Sequence, residues 1–343
     1  MIKLLMFTIP SLLMAVAGAS SCWGSFDNCT VHAMNLHSRG MSAIEGIVEG
    51  PPRVPWPDGK VNYREVTYCY ADYNTRNALK RTVEGAIQLW MSALGGPASA
   101  ETGHSLSFKE LKSDRNWPTY CYLYTYMDFD HTGDWNPVVP PDTLALHRSV
   151  GTSSGASVGY QPGPAGANNI LLGLGPSLET MWPILGHEFG HVLGFGHEHQ
   201  RDDRDKHILF NCDKVLGYQQ SLAKLMTSGR PLSQQLAHDL LCNDWRTALS
   251  IGSTLNAFVY WPTQRMFGSF DKDSIMHYGS EGFSDKRLCT PSTPSGCPIT
   301  TLNGEYIWPK MKVSAGDAQA AREMYPWREP ALPGPARAIH FRS

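Results

Sequence analysis

Two kinds of hydrophobic spacing follow each other in the first third of the chain. Residues 60–73, KVNYREVTYCYADY, alternate apolar with polar side chains and are rich in valine, threonine and tyrosine, which predicts a β-strand. The next apolar residues recur every three or four positions, as on one face of a helix: Leu79, Val83, Ile87, Trp90 and Leu94. Asn74 is placed to cap this amphipathic helix, and Gly95 and Gly96 to end it.

Further along the chain, short strands give way to helices. Four segments have the composition of strands: SLSFKEL, TYCYLYTYMDF, SSGASVGYQ and NNILLGL. A helix is predicted from about Leu178, and helical patches recur around residues 213–226 and 233–249. A last helix lies in SAGDAQAAREMY, where Ser314 and Asp317 form the pattern of a capping box. Strands early and helices late predict an α+β fold.

The N-terminus has the pattern of a secretory signal peptide. Lys3 precedes the apolar run LLMFTIPSLLMAVA, and the small residues AGA end at Ala19. A membrane anchor is the alternative, but the run is shorter than the roughly 20 residues that a helical span needs. Residues 1–19 are therefore predicted to be removed and the protein to be secreted. Residues 20–52 show no periodicity and end in a stretch rich in proline and glycine, which predicts a pro-segment or linker.

The eight cysteines fit an oxidising, extracellular location. An even number in a secreted chain predicts disulfides, although eight thiols admit about 105 connectivities and the sequence does not choose among them. Cysteines that are neighbours along the chain are expected to pair: Cys22–Cys29, Cys69–Cys121, Cys212–Cys242 and Cys289–Cys297. The last two pairs would each close a loop rich in proline, glycine, serine or polar residues.

The net charge of the chain argues against two classes of binding partner. Lysine and arginine number 29 and aspartate and glutamate 31, which gives a formal net charge of -2. A chain with this balance has no excess of positive charge to attract nucleic acid or an anionic membrane. Neither is expected as a partner, and no stretch after the N-terminal run is long and apolar enough to cross a bilayer.

The candidate chemistry lies in HEFGHVLGFGH, residues 187–197. His187 and His191 are four residues apart, so a helix would place both imidazoles on one face, within reach of one metal ion. Glu188 follows the first of them, where its carboxylate could take a proton from metal-bound water. Gly194 can end the helix and turn the chain, so that His197 becomes a third ligand. Three neutral nitrogens suit zinc, and a fourth position left to water is typical of a catalytic site.

An isolated H-E-x-x-H also arises by chance, and two histidines four apart are often a solvated pair. The helix breaker and the third histidine in register favour the metal site. The longer stretch HEFGHVLGFGHEHQRDDRD resembles the zinc signature of the metzincin proteases, and its second half resembles the astacin branch. A second stretch, SIMHYGS, is similar to the astacin Met-turn. The resemblance implies that Met276 forms a hydrophobic floor under the zinc. It also implies that Tyr278 is a further zinc ligand that swings away to stabilise the transition state.

The resemblance extends over residues 53–326 and implies a peptidase domain of the metzincin type. Its two lobes would face each other across an active-site cleft: a mixed sheet with the active-site helix, then a helical and irregular C-terminal lobe. GANNILLGLG is expected to contain the edge strand that binds an extended substrate. Residues 327–343 are rich in proline and are expected to form a loose tail.

Some features depart from the astacin pattern or stay open within it. WMSALGGPA lacks a cysteine that the family places after this helix, so the disulfide pattern is in doubt. SFDNC lacks the glycine of the family's F-x-G-D zinc latch, which leaves Asp27 or Cys29 as candidates. Glu198 matches a glutamate that lies near the new N-terminus after activation, with a surface charge as the alternative. RDDRD is expected to shape the lower cleft wall through internal salt bridges, and His199 and His277 to be structural or solvated.

Together the motifs predict a secreted zinc metalloendopeptidase, made as a zymogen, that binds one Zn²⁺ per subunit and cleaves proteins or peptides. A monomer is expected. Glu188 would act as general base and Tyr278 would stabilise the oxyanion. Two alternatives stay open: a catalytically silent secreted binding protein on the same scaffold, and another zinc amidohydrolase. The complete set of chemical groups disfavours the first, and the Met-turn disfavours the second.

Overall fold

The computed structural model describes seven stretches of the chain: residues 55–57, 63–123, 133–149, 154–173, 177–229, 231–260 and 267–329. The predicted signal peptide, the predicted pro-segment up to residue 52 and the expected pair Cys22–Cys29 lie outside these stretches, and so does the tail after Glu329. Trp327 belongs to the folded part, because its backbone N–H donates to Gly103 O at 3.0 Å and its ring packs edge-on against Tyr63.

A mixed five-stranded sheet forms the first layer. Its members are β1 (Arg64–Tyr70), β2 (Leu106–Glu110), β3 (Leu144–Arg148), β4 (Gly155–Ala156) and β5 (Asn169–Leu172). Their spatial order is β2-β1-β3-β5-β4. The pairs β1–β2, β1–β3 and β3–β5 are parallel, whereas β4 runs antiparallel to β5. The mixed sheet that was expected for the first lobe is therefore present.

One strand prediction is wrong. The segment GANNILLGLG contains β5, which pairs with β3 on one side and with β4 on the other, so it is an interior strand. Its apolar side chains Ile170 and Leu172 are buried, and this apolar character is what made the segment conspicuous. The edge is instead the two-residue β4, whose glycine and alanine carry almost no hydrophobic signal. Of TYCYLYTYMDF only residues 119–123 are described, where Tyr122 forms an isolated bridge with Trp135, and the rest of that predicted strand lies outside the described residues.

Six α-helices occur in the described residues. They are α1 (Tyr73–Ala93), α2 (Leu178–Val192), α3 (Tyr218–Met226), α4 (Gln234–Asn243), α5 (Trp245–Ser250) and α6 (Ala315–Met324). A short antiparallel ribbon of β6 (Ile208–Phe210) and β7 (Ile299–Thr301) lies among the later helices in the sequence. Strands early and helices late are the α+β arrangement expected from the sequence.

The helix ends follow local side-chain chemistry. Helix α6 begins with the predicted capping box, in which Ser314 and Asp317 each accept from the other's backbone N–H. Helix α1 is capped by Asp72, which accepts from Thr75 N, and not by Asn74 as predicted. Asp72 has the extended backbone that a capping residue needs, whereas Asn74 already lies in the first helical turn. The helix stops before Gly95, whose φ is 82°.

Two large hydrophobic cores divide the described chain. The first joins the sheet to α1, α2 and α6, with Trp90, Phe189 and Tyr325 among its buried side chains. The second gathers β6, β7 and α3 to α5 around Trp245 and Phe258. The two cores correspond to the two lobes expected from the sequence. No helix of the described chain has the length and apolar character needed to cross a membrane.

Three disulfides join the expected neighbours: Cys69–Cys121, Cys212–Cys242 and Cys289–Cys297. Cys69 and Cys121 are buried with Val139 and Ala145 in a small third cluster. Cys242, at the end of α4, is joined to Cys212, which follows β6. The helical segment after β6 is therefore linked covalently to the second core.

The pH dependence of stability can be tested at His147. This residue follows Leu146 in β3, and its Nε2 lies 3.4 Å from Tyr122 Oη. Burial lowers the pKa of His147 from 6.5 to about 4, and Asp72 opposes this shift. The unfolded chain therefore binds the proton more readily, so stability is complete above pH 6.5 and is lost as the pH falls towards 4. Between pH 7 and pH 5 we expect the metal-free wild type to lose about 1–2 kcal/mol more of its free energy of unfolding than the His147→Gln variant loses. Thermal unfolding at the two pH values measures this difference.

His207→Gln is the matched control, because His207 is exposed and stacks on Phe270. This variant should keep the pH dependence of the wild type. If His147→Gln did so too, His147 would not be a buried neutral imidazole.

Candidate active site

The end of α2 is built so that the chain can reverse direction. Val192 is the last helical residue, and Gly194 has a φ of 98°, which is the left-handed conformation that favours glycine. Its N–H donates to His191 O at 2.7 Å, and Phe195 N donates to Gly190 O at 2.9 Å. The turn expected at Gly194 is therefore present, and the chain beyond it returns towards the helix.

The return brings His197 to His187 and His191. One ring nitrogen from each of the three lies within 4.8 Å of the others. Nε2 of His191 and Nε2 of His197 are 3.1 Å apart. All three side chains are buried. The structure thus gathers the three predicted metal ligands at one point, although they come from two different elements.

An oxygen acceptor faces Nδ1 of each of these imidazoles. His187 Nδ1 lies 2.8 Å from Ile275 O, and His191 Nδ1 lies 2.8 Å from Phe195 O. His197 Nδ1 lies 2.7 Å from Oε1 of Gln200. Since a carbonyl oxygen only accepts, Nδ1 carries the proton in each ring and Nε2 carries the lone pair.

Two further observations support this assignment. The amide nitrogen of Gln200 donates to Asn256 O and Val259 O, both at 2.9 Å, so the amide oxygen is the atom that faces His197. Burial lowers the pKa of His187 to about 4 and that of His197 well below 6.5. His187 and His197 are therefore neutral at physiological pH, as metal ligands must be.

The donor set fits a zinc ion. Nε2 of His191 and Nε2 of His197 both carry lone pairs, so at 3.1 Å they cannot hydrogen-bond to each other. A shared cation is the partner that two such atoms can have. Three neutral imidazoles, each with its second nitrogen bonded to an oxygen, are the ligands that zinc takes in catalytic sites.

Glu188 and Tyr278 lie beside the three histidines. Glu188 follows His187 in α2 and is completely buried. The Tyr278 ring centroid is 4.4 Å from that of His197 and 5.9 Å from that of His187. His199 also lies beside Tyr278, and the centroids of the two rings are 4.3 Å apart.

His199 is a structural residue, one of the two alternatives that the sequence left open. Its Nε2 lies 2.9 Å from Ala257 O, and its Nδ1 accepts from Tyr278 N at 3.3 Å. Because Nδ1 accepts from an N–H and Nε2 donates to a carbonyl oxygen, the ring of His199 has its proton on Nε2. His199 thus ties the segment after α5 to Tyr278. The spacing of histidines did not reveal this role, because both partners are backbone groups distant in sequence.

Met276 packs directly under the active-site helix. A Cβ at Gly190 would collide with Met276 Sδ and would lie 3.3 Å from Trp90 Cζ2. The turn is held from below by α6, because Asp317 accepts from Ser274 Oγ at 2.6 Å and from Ile275 N at 2.8 Å. Met276 therefore packs against the helix that carries His187 and His191, and its place under the zinc stays a prediction.

In the charged run after His197 the two arginines are buried, whereas Asp202 and Asp205 are exposed. Arg201 pairs with Asp203 at 2.9 Å and with Glu198 at 3.4 Å, and its side chain is 3% exposed. Arg204 donates to His199 O at 3.0 Å and also to Phe258 O. Arg201 therefore forms the internal salt bridges that were expected of RDDRD, whereas Arg204 bonds mainly to backbone carbonyls and its ion pair with Asp205 lies at the surface.

Glu198 is not the surface charge that was its alternative reading. Its Oε1 accepts from Asp271 N at 2.7 Å. Burial raises the pKa of Glu198 to about 7, against the opposing effects of this hydrogen bond and of Arg201. The carboxyl group is thus part of the interior that supports His197.

The fold and the site define an α+β protein with a buried cluster of three histidines that could hold a metal ion. The model of the astacin family of peptidases matches the chain over residues 142–238. This range contains all three histidines and Glu188, and it ends before the Met-turn. The resemblance to the astacins, expected from the two motifs, is confirmed.

The chain is also similar, at low sequence identity, to individual relatives and to solved structures. Astacin-like metalloprotease toxin 4 of Loxosceles laeta is 29% identical over 139 residues, which are 40% of this chain and 87% of the toxin. Dorsal-ventral patterning protein tolloid of Drosophila melanogaster is 26% identical over 163 residues, which are 48% of this chain and only 12% of tolloid. High choriolytic enzyme 1, a hatching enzyme zinc-protease from Oryzias latipes, matches in structure with a TM-score of 0.46 at 17% identity, over 79% of this chain and 94% of that chain.

The contact between Gly190 and Met276 can be tested by adding one methyl group. We expect Gly190→Ala to lower the free energy of unfolding of the metal-free protein by about 1–3 kcal/mol, because the added Cβ overpacks the helix against Met276 and Trp90. Thermal or urea unfolding measures this.

Gly163→Ala is the control, since its added Cβ would meet nothing closer than Ala167 Cβ at 3.5 Å. Its stability should change by no more than about 0.5 kcal/mol. Equal effects of the two substitutions would contradict a specific contact under the helix.

Proposed function

We propose that this protein is a secreted zinc metalloendopeptidase of the astacin type. The observation that carries the proposal is the convergence of three buried imidazoles whose Nδ1 atoms all face oxygen acceptors. The astacin match supports the peptidase class. The signal-like N-terminus and the three disulfides support secretion. Residues 20–52 would then be the pro-segment of a zymogen.

Zinc would be held by His187, His191 and His197, one ion per chain, and would supply a Lewis acid that polarises the scissile carbonyl and acidifies water. Glu188 would take the proton from the attacking water and return it to the leaving amine. The complete burial of Glu188 suits this role, because the electrostatic interactions that favour proton transfer are stronger where bulk water is excluded. The Tyr278 hydroxyl would donate a hydrogen bond to the developing oxyanion.

The edge of the sheet supports a peptide as the substrate. Among the described residues strand β4 pairs with β5 on one side only, so its other side presents backbone groups to which an extended peptide could add as a further strand. The segment after β4 is joined to the active-site helix, because Gly159 N donates to His191 O at 2.8 Å. A peptide bound along β4 would therefore lie at a fixed position relative to the three histidines.

The role of Glu188 gives the main test. We expect purified Glu188→Gln protein, processed like the wild type, to lose casein hydrolysis by at least about a hundredfold, because the amide cannot act as a base. Zinc content, measured by atomic absorption, should stay at one ion per chain in both proteins. The activity of the wild type should vanish with phenanthroline and return with zinc.

The outcomes separate the alternatives. Hydrolysis by Glu188→Gln at the wild-type rate would refute the mechanism. A wild type that binds zinc and cleaves no peptide would indicate the silent binding protein, and cleavage of non-peptide amides alone would indicate another amidohydrolase.

Tyr278 is expected to act in the transition state. Tyr278→Phe should lower kcat by about 10²–10³-fold with little change in KM, because one oxyanion donor is removed. Steady-state kinetics on a fluorogenic peptide measure both constants. Tyr73→Phe, at a position 62% exposed at the start of α1, is the control and should retain full activity. A normal kcat for Tyr278→Phe would exclude the role of the hydroxyl.

A further inference from the structure

The last carbonyl groups of the active-site helix have no partner within the helix, yet each is hydrogen-bonded. A helix leaves four such groups at its C-terminus, and burial makes each one costly if unpaired. Two are satisfied by backbone N–H groups of nearby turns: Gly190 O by Phe195, and His191 O by Gly194 and Gly159. The two outermost are satisfied by side chains from the opposite ends of the domain. Trp56 Nε1 donates to Val192 O at 2.9 Å, and Tyr325 Oη donates to Leu193 O at 2.8 Å.

Trp56 and Tyr325 form one buried unit, which we call the helix-end clamp. Trp56 is 3% exposed and Tyr325 is completely buried. Trp56 N donates to Tyr325 Oη at 3.5 Å. Arg64 donates to Trp56 O at 2.6 Å, and its guanidinium lies 5.9 Å from the centroid of the Tyr325 ring. The clamp therefore holds the end of α2 from two sides at once.

The clamp acts next to the glycine at which the chain turns. Gly194 directly follows Leu193, and a glycine at positive φ has more accessible conformations than any other residue. The next residue, Phe195, supplies the carbonyl that faces His191 Nδ1. His197 follows two residues later. Two of the three ligands therefore depend on the conformation of the segment that the clamp restrains.

The clamp also reaches the substrate side of the site. The Trp56 ring packs edge-on against Tyr160 at a centroid distance of 5.4 Å. Tyr160 follows Gly159, whose N–H donates to His191 O. One tryptophan from the start of the described chain thus contacts the helix end, the last helix's tyrosine and the segment after the edge strand.

We propose that Trp56 and Tyr325 are positioning residues that fix the turn between α2 and His197, and thereby set the affinity and the geometry of metal binding. The inference rests on the zinc site of the proposed function and adds two residues to it. Both act through backbone carbonyls and neither is a ligand. The segment that begins at residue 55 is then part of the metal centre, and any processing of the chain that leaves the centre intact retains Trp56.

The test uses the full chain with Trp56→Phe, Tyr325→Phe and the double variant. Phenylalanine keeps an aromatic ring in each place and removes one hydrogen-bond donor. Zinc affinity is measured by competition with a chelator, and the absorption spectrum of the cobalt-substituted protein reports ligand geometry. Both are recorded at a temperature where circular dichroism shows every variant folded.

We expect each single variant to bind zinc about three- to tenfold more weakly and the double variant at least about tenfold, since loss of a group that orients a ligand typically costs 10–100-fold in affinity. The cobalt spectrum of the double variant should change in band position and intensity. Trp327→Phe is the control, because the Trp327 indole nitrogen makes no hydrogen bond within the described residues. It should match the wild type in affinity and spectrum.

Variants that unfold at lower temperature but keep wild-type affinity and spectrum would overturn the proposal and leave the clamp a purely structural feature. Because neither readout depends on turnover, absence of peptidase activity in the wild type would count against the proposed function alone. A wild type that binds no zinc would overturn both.

Discussion

The site depends on one repeated interaction, a hydrogen bond from Nδ1 of a buried imidazole to an oxygen acceptor. The bond selects the tautomer, and the tautomer turns the Nε2 lone pair inward. The three acceptors come from different places: Ile275 in the Met-turn, Phe195 after the glycine turn, and Gln200 in the 3-10 segment after His197. The fold has to bring these three acceptors to one place, and much of its architecture follows from that demand.

The Met-turn is where the two cores of the protein meet. Met276 belongs to the first core, and Tyr278, two residues later, belongs to the second. The backbone is held on either side of Met276, since Asp317 accepts from Ile275 N and His199 Nδ1 accepts from Tyr278 N. A displacement of either core would therefore move a group that supports a ligand. Burial has a second effect here, since it keeps the imidazoles neutral while it raises the pKa of Glu198.

Features with a local cause were predictable from the sequence. The turn at Gly194 follows from a backbone conformation that only glycine adopts easily, and the capping box of α6 follows from two side chains three residues apart. The neighbouring cysteines did pair in the described chain. Where two local signals competed, the prediction was wrong: Asp72 and Asn74 are both good caps, and only the path of the chain out of β1 decides between them. The edge strand was misplaced because β4 is too short and too small in its side chains to show a pattern.

The sequence by itself carried the chemistry proposed for this protein, since the types and spacing of His187, Glu188, His191 and His197 predict a metal site with an adjacent base. It also determined the resemblance to the astacins, which rests on short contiguous motifs. Only the tertiary structure decided which groups orient the ligands: the Ile275 carbonyl, the Asp317 carboxylate, and the Trp56 and Tyr325 donors at the end of α2. The reason is physical. A hydrogen bond to a backbone group 42 to 136 residues away leaves no trace in local periodicity, because any residue type other than proline supplies the same N–H and carbonyl groups.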